Sequence, residues 1–285
     1  MNVLILGTFD GVHIAHRQLI TEAKKAGNNI IACTFTSPFS KQKQLTDIDE
    51  KIFLLKKYGV TEVFIEDFED IKNLSPEEYI KGLCEKFKPA KIVTGFNHSF
   101  GKNASGNPMV LSKLGKKYNF IPVTVPPVKE DDIIVSSTQI RSLLLNGETE
   151  KAAKLLDRCY SLKGKTVHGR SIGKSLDFPT INTEVNKNKL IPQEGVYATF
   201  VKVLGRTFKG MTNIGTNPTV TDENKISVET HILGFNEDIY NKTAEIIFVK
   251  KIRDDKKFEN IEQLKDQLSF DAFLINAFLD TRKIN

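Results

Sequence analysis

The stretch Gly7–His16, GTFDGVHIAH, places two of the chain's five histidines three residues apart, directly after the apolar run Val3–Leu6. A strand, a turn containing Gly7 and Gly11, and a helix starting near His16 would aim backbone N–H groups and the positive end of a helix dipole at one point. That is a phosphate site. At such a helix start His13 and His16 share a face, where imidazoles can donate to nucleotide phosphate oxygens and offset charge that builds in phosphoryl or nucleotidyl transfer. A bare H-x-x-H also describes helix-start histidines satisfied by backbone or solvent. A zinc pair fits less well, because no acidic or cysteine partner sits at ligand spacing. Arg141, in VSSTQIRSLL, is a second candidate, since a rigid guanidinium at a helix start can fork onto phosphate oxygens.

Elements that would position these groups are legible in the periodicity. Short β-rich runs at Val3–Leu6, Ile30–Phe35, Glu62–Ile65, Lys91–Thr94 and Ile121–Val125 are separated by segments of helical spacing such as Ile48, Ile52 and Leu55. One helix start is explicit: Ser75 as cap, Pro76 at the first position and Glu78 completing a capping box. This βαβα plan predicts a mostly parallel sheet with helices on both faces and a ligand crevice at the carboxyl ends of the strands. After about residue 158 the period changes. GVYATFVKVLGRTFKGMTNIG, ISVETHILGF and AEIIFVKKI alternate apolar and polar residues between Gly, Asn and Asp turns, which predicts a small antiparallel barrel followed by a helix from Asn260 through Phe278. The expected boundary lies between Leu156 and Leu162, giving domains 1–158 and 159–285.

At 285 residues and 40% hydrophobic, the chain can bury two ordinary cores. No apolar run approaches the roughly 18 residues needed to cross a bilayer, and MNVLILG lacks the features of a signal peptide, so a cytoplasmic protein is expected. Cys33, Cys84 and Cys159 are odd in number and far apart, which argues against disulfides and thiolate metal sites. The formal charge of +6 suits anionic partners. Its lysines are scattered rather than gathered into a stripe with interleaved aromatics, which favours small phosphorylated ligands over nucleic acid.

Against this background, the opening stretch resembles the G-x-F-D-G-x-H-x-G-H signature of the nucleotidyltransferase superfamily, and in particular the amino-terminal module of the bacterial bifunctional riboflavin kinase/FMN adenylyltransferase (FAD synthetase) family. VTGFNHSFGKNASGN, from Val93 to Asn107, resembles that family's G-x-[DN]-F-x-F-G loop, and VSSTQIRSLL, from Val135 to Leu144, its S-S-T-x-I-R motif. The resemblance implies a Rossmann-like fold in which Gly7, Thr8, Phe9 and Asp10 line the ATP site, His13 and His16 bind phosphates and Asn97 lies in the substrate crevice. Ser137, Thr138 and Arg141 would close on the triphosphate.

The second half resembles the same family's riboflavin kinase barrel. GKTVHGRSIGKSLDFPTIN, from Gly164 to Asn182, is similar to the loop ending G-F-P-T-x-N; MTNIGTNPT, from Met211 to Thr219, to N-I-G-x-x-P-T; and SVETHILGF, from Ser227 to Phe235, to the segment carrying the catalytic glutamate. This implies that Thr180 and Asn182 bind Mg2+ and ATP phosphates, that Gly169 and Gly173 let a loop approach the nucleotide, and that Glu229 takes the proton from riboflavin's 5′-hydroxyl. Arg253 is a further candidate near the flavin. His98, His168 and His231 have no implied role and read as structural.

Three departures from the pattern stand out. Ala15 replaces the glycine of H-x-G-H, Asp177 replaces the glycine of G-F-P-T, and TFTSPFSK, from Thr34 to Lys41, lacks P-H-P. The expected function is FAD biosynthesis through FMN, with ATP as co-substrate, Mg2+ as cofactor, small molecules as partners, no membrane, and a monomer or weak homo-oligomer. Alternatives are a single-activity enzyme with one decayed site and a flavin-sensing, RNA-binding regulator.

Overall fold

The computed structural model describes residues 1–36, 42–167, 178–217 and 225–282, which form two compact units, Met1–Gln139 and Ile140–Asn285. The first is built on β1 (Asn2–Leu6), β2 (Asn29–Phe35), β3 (Glu62–Glu66), β4 (Lys91–Gly95) and β5 (Ile121–Val125), hydrogen-bonded as a parallel sheet in the order β3-β2-β1-β4-β5. The central strand is hydrophobic without interruption because both of its faces are covered. Val3 and Ile5 pack with Leu19, Ile20 and Ala23 of α1 (Ile14–Ala26) and Leu54 and Leu55 of α2 (Ile48–Lys57). Leu4 and Leu6 face the other way, toward Tyr79, Ile80 and Leu83 of α4 (Pro76–Phe87) and Leu111 and Leu114 of α5 (Pro108–Tyr118). A short α3 (Phe68–Ile71) precedes α4, and a hairpin of β6 (Lys129–Glu130) and β7 (Ile133–Ile134) follows β5.

The capping box at α4 forms as expected: Ser75 N–H donates to Glu78 Oε2 at 2.8 Å and Glu78 N–H to Ser75 Oγ at 3.2 Å. Two of the four orphan amide donors of the first turn are satisfied reciprocally, fixing where the helix begins.

In the second unit, β8 (Tyr160–Val167), β9 (Thr180–Val185), β10 (Gly195–Val203), β11 (Arg206–Asn217), β12 (Lys225–Ile232) and β13 (Thr243–Arg253) close into an antiparallel barrel ordered β10-β11-β12-β9-β8-β13. Alternation along each strand sorts the side chains. Thr199, Thr212 and Thr230 point inward and link hydroxyls at 2.8 and 2.9 Å, so these buried polar groups satisfy one another. Outward-pointing Val196, Ala198, Phe200, Met211 and Ile247 are covered by Ile275 and Leu279 of α8 (Ile261–Asp280). Gly164 lies where β8 meets β9 so closely that a Cβ would collide with the Glu184 carbonyl.

The division between compact units falls at Gln139/Ile140, and the segment from there to the 158/159 boundary expected from the sequence belongs to the second unit. α6 (Ser137–Leu145) begins just before the division and α7 (Thr149–Leu156) lies wholly after it. Gln193 N–H donates to the Leu144 carbonyl at 3.0 Å, and Thr149 Oγ1 to the Val249 carbonyl at 3.4 Å. The buried stripe of this segment, Ile140, Leu143, Leu144, Leu155 and Leu156, follows helical spacing, which carries no information on the surface it covers.

Candidate functional site

Strand order reverses direction between β1 and β4, so the crevice of the first unit opens at their carboxyl ends. The loop from β1 leads into it through Phe9, Gly11 and Val12 at φ of 48°, 83° and 38°. Positive φ at a β-branched valine is costly, and such strain persists where surrounding contacts over-determine the backbone. Those contacts are present. Asp10 accepts from Leu45 N–H at 2.9 Å, Thr46 N–H at 3.0 Å and Thr46 Oγ1 at 3.2 Å, while Gly11 N–H donates to Thr46 Oγ1 at 3.0 Å. Phe9 is fully buried, with its ring under Gly7. Phe9 and Asp10 thus spend their side chains on holding the loop.

α1 starts at Ile14, two residues before the start read from the sequence, and His13 is its cap: Nδ1 accepts from His16 N–H at 3.4 Å. The imidazoles of His13 and His16 stack with centroids 3.6 Å apart and planes 15° from parallel. His16 is held well below the usual histidine range, first by burial and then by His13 and Lys51, and its Nδ1 has no hydrogen-bond partner. The free protein therefore presents a neutral His16 with an unmet hydrogen-bonding atom. Ala15 lies within α1 and is not among the residues with positive φ, so its methyl imposes no backbone strain.

Lys51 of α2 escaped sequence reading. It is only 6% exposed, and its Nζ donates to the Phe35 carbonyl at 3.2 Å and lies 3.5 Å from Thr34 Oγ1, which donates in turn to the Thr8 carbonyl at 3.0 Å. The signal was available: Lys51 falls on the same helical stripe as Ile48, Ile52 and Leu55. Of the S-S-T-x-I-R residues, Ser137 Oγ donates to the Asp10 carbonyl at 2.7 Å, Ser136 Oγ accepts from Gln139 N–H at 3.2 Å, Thr138 is exposed and Arg141 is half-buried.

Asn97 is exposed at the carboxyl end of β4, where His98 N–H closes a turn onto the Gly95 carbonyl at 3.1 Å. His98 stacks on Phe100, its Nε2 is without a partner, and burial lowers its pKa to about 4. An unfolded chain takes up the proton at the ordinary value of 6.5, so stability is full above 6.5 and falls as pH drops toward 4. His98→Phe removes that loss. Between pH 7.5 and 5 it should narrow the fall in unfolding free energy by on the order of 2 kcal/mol, measured by urea titration at each pH.

In the barrel, Asn182 of β9, Glu229 of β12 and Asn213 of β11 are lateral neighbours, Asn182 opposite Glu229 and Glu229 opposite Asn213. All three point outward, as does Thr180 two residues before Asn182. The Glu229 carboxylate is half-buried and makes no hydrogen bond or ion pair among the described residues, while Asn182 Nδ2 and Asn213 Oδ1 on either side are buried without partners. Thr180 is placed by His231, whose Nδ1 lies 2.9 Å from the Pro179 carbonyl and whose ring meets Phe178 edge-on at 5.1 Å. A carbonyl only accepts, so Nδ1 carries the proton; burial lowers the pKa of the ring, in keeping with a structural role.

The Arg253 guanidinium grips the buried Asp271 of α8 through Nε and a terminal nitrogen, each at 2.8 Å. Gly169, Gly173, His168, Asp177 and the proline of TFTSPFSK lie outside the described residues. Asn213 stands in the quoted MTNIG segment but was not singled out, because a lone strand asparagine gives no sign of its lateral neighbours.

A nucleotidyltransferase-like parallel sheet with a histidine-bearing loop at its crevice, joined to a barrel whose Glu229 carboxylate stands between two amides and is unpaired among the described residues, defines a two-module transferase. Residues 1–139 match the family model for FAD synthetase and residues 156–279 that for riboflavin kinase. The chain is 35% identical to the bifunctional riboflavin kinase/FMN adenylyltransferase of Listeria monocytogenes over 97% of its own length and 92% of that protein's. It is 30% identical to the protein of the same name from Bacillus subtilis, covering 99% and 94%. A crystal structure described as a macrolide-efflux protein from Streptococcus pneumoniae superposes with a TM-score of 0.88 at 30% identity, covering 96% of this chain and 93% of that one. Among the described residues no helix is long and apolar enough to cross a membrane. The chain belongs to the bifunctional riboflavin kinase/FMN adenylyltransferase family.

Proposed function

We propose that this chain makes FAD in two steps, phosphorylating riboflavin to FMN with ATP in the barrel and then joining FMN to the adenylyl group of a second ATP in the α/β module. The observation that carries the reading is the presence in one chain of two built sites: the His13–His16 stack at the crevice and the Asn182–Glu229–Asn213 row. In the first step Glu229 takes the proton of the 5′-hydroxyl as its oxygen attacks the γ-phosphorus of ATP and ADP leaves. In the second an FMN phosphate oxygen attacks the α-phosphorus and pyrophosphate departs. Loop amides, His13 and His16 bind the phosphates, so catalysis there is positioning and electrostatics.

Ser137, Thr138 and Arg141 are assigned to adenylyl transfer by their motif. The Ser137 bond to the Asp10 carbonyl supports a role in holding the loop. The functional modules are taken as 1–158 and 159–285, with Asn97 on the FMN side of the first and Gly169 and Gly173 on the nucleotide side of the second. Arg253 is retained as a candidate near the flavin, its guanidinium fixed by Asp271.

Among the described residues no group of three or more His, Cys, Asp or Glu could hold a metal. Thr180 and Asn182 carry hard oxygens, and the unpartnered Asn182 Nδ2 is free to donate to a phosphate oxygen, a donor set that fits Mg2+, an ion that keeps waters and phosphate oxygens in its shell. When bound there, Mg2+ would offset phosphate charge. The reading includes a cytoplasmic protein, monomeric or weakly self-associating, acting on small molecules rather than nucleic acid. Its test is chromatography of products from riboflavin, ATP and Mg2+, and again from FMN, with reduced flavin also tried. FMN followed by FAD supports both steps, and FMN that never becomes FAD leaves a riboflavin kinase alone.

A further inference from the structure

The row across β9, β12 and β11 is chemically asymmetric. On the β9 side of Glu229 the buried, unpartnered atom is a donor, Asn182 Nδ2; on the β11 side it is an acceptor, Asn213 Oδ1. Polar atoms shut away from water without partners are costly, and folded proteins retain few of them. Two such atoms flanking one carboxylate that is itself unpartnered mark a place where a polar ligand completes the hydrogen bonding. A donor suits phosphate oxygens. An acceptor has no use for a phosphate and suits a hydroxyl.

The backbone around Asn213 keeps the approach open. Gly215 is two residues along the same face of β11, and a Cβ there would sit 3.3 Å from Asn213 Nδ2, tighter than ordinary packing. Asp255 Oδ2 lies 3.7 Å from the same point. A side chain at 215 would press on the Asn213 amide, and glycine removes that pressure.

We propose that Asn213 is a substrate-positioning residue of the kinase reaction, accepting a hydrogen bond from the hydroxyl chain of the flavin substrate and so holding the nucleophilic hydroxyl against Glu229. Asn182, across the carboxylate, faces the phosphate donor. The order of strands β11, β12 and β9 thereby sets the order of acceptor, base and donor. This rests on the kinase reading above and goes beyond it by assigning the two flanks of Glu229 to different substrates.

Two variants test it in the full-length protein, with adenylyl transfer from supplied FMN as an internal control of folding. Asn213→Val removes the acceptor at similar volume. Its KM for riboflavin should rise about tenfold, as expected for one lost neutral hydrogen bond, while the KM for ATP stays within about twofold. Asn213→Asp keeps an acceptor of the same shape at that place on β11, opposite Glu229. Its KM for riboflavin should stay well below that of the valine variant, and its KM for ATP near that of the parent.

The proposal is overturned if Asn213→Val raises the KM for ATP and not for riboflavin, or changes neither. Should the valine variant fail to fold, Asn213→Ala removes the same acceptor and is read by the same split between the two KM values. A parent protein that makes no FMN from riboflavin and ATP refutes instead the kinase reading on which the proposal stands.

Discussion

Glu229→Gln should abolish FMN formation for practical purposes, lowering the kinase rate about 10²- to 10⁴-fold, the usual worth of a positioned general base. Glutamine preserves the shape and polarity of the side chain and its place opposite Asn182 and Asn213. What it removes is the ability to take up a proton. The parent carboxylate makes no ion pair or hydrogen bond among the described residues, so its loss strands no partner and the barrel should keep its stability. The loss should therefore appear in kcat with little change in the KM for riboflavin, the signature of an interaction made in the transition state rather than in the ground state. FAD formation from supplied FMN should be unaffected. A variant that retains full kinase activity removes Glu229 from the chemistry.

Replacing both His13 and His16 should have the complementary effect. With FMN and ATP supplied, FAD formation should fall by about 10²- to 10³-fold for each phosphate-binding donor lost, and riboflavin phosphorylation should continue. The choice of substituent matters because His13 also caps α1. Alanine would confuse loss of chemistry with loss of a cap, which costs about 1 kcal/mol. Asparagine at 13 is a good cap and separates the two. At 16 the ring stacks on His13 and meets Phe9 edge-on at 5.1 Å, so glutamine or alanine there also loosens the loop. A binding measurement with ATP alone distinguishes the cases, because a disordered loop binds nucleotide poorly whatever the flavin. If the double variant still makes FAD at the parental rate, the histidine stack is structural.

The sequence departures bear on these outcomes unequally. Ala15 is accommodated within the helix, so it gives no structural reason for the adenylyl site to be inactive. The missing P-H-P and the aspartate at 177 fall on or beside residues outside the described set, and the product assay addresses them directly.

What the sequence determined by itself was everything written in local periodicity and local chemistry. Alternating runs gave the parallel sheet and the barrel. The Ser75–Glu78 box gave the start of α4, and the glycine-rich turn before His13 and His16 gave the loop that opens onto the crevice. Each depends on residues within a few positions of one another, where backbone geometry and side-chain spacing are coupled directly. The family motifs pointed in addition to Glu229, Thr180 and Asn182, whose roles the product and variant assays test.

Tertiary structure alone decided which distant residues meet. That Asp10 clasps Leu45 and Thr46, that Lys51 is buried beneath the loop, that α6 and α7 run with the barrel, and that Asn213 stands beside Glu229 all follow from long-range packing and strand register. A strand shows which residues share a face, but its lateral neighbours are fixed only when hydrogen bonds lock it against another strand. A shift of one residue would have turned Asn213 into the barrel and left Glu229 with a different neighbour.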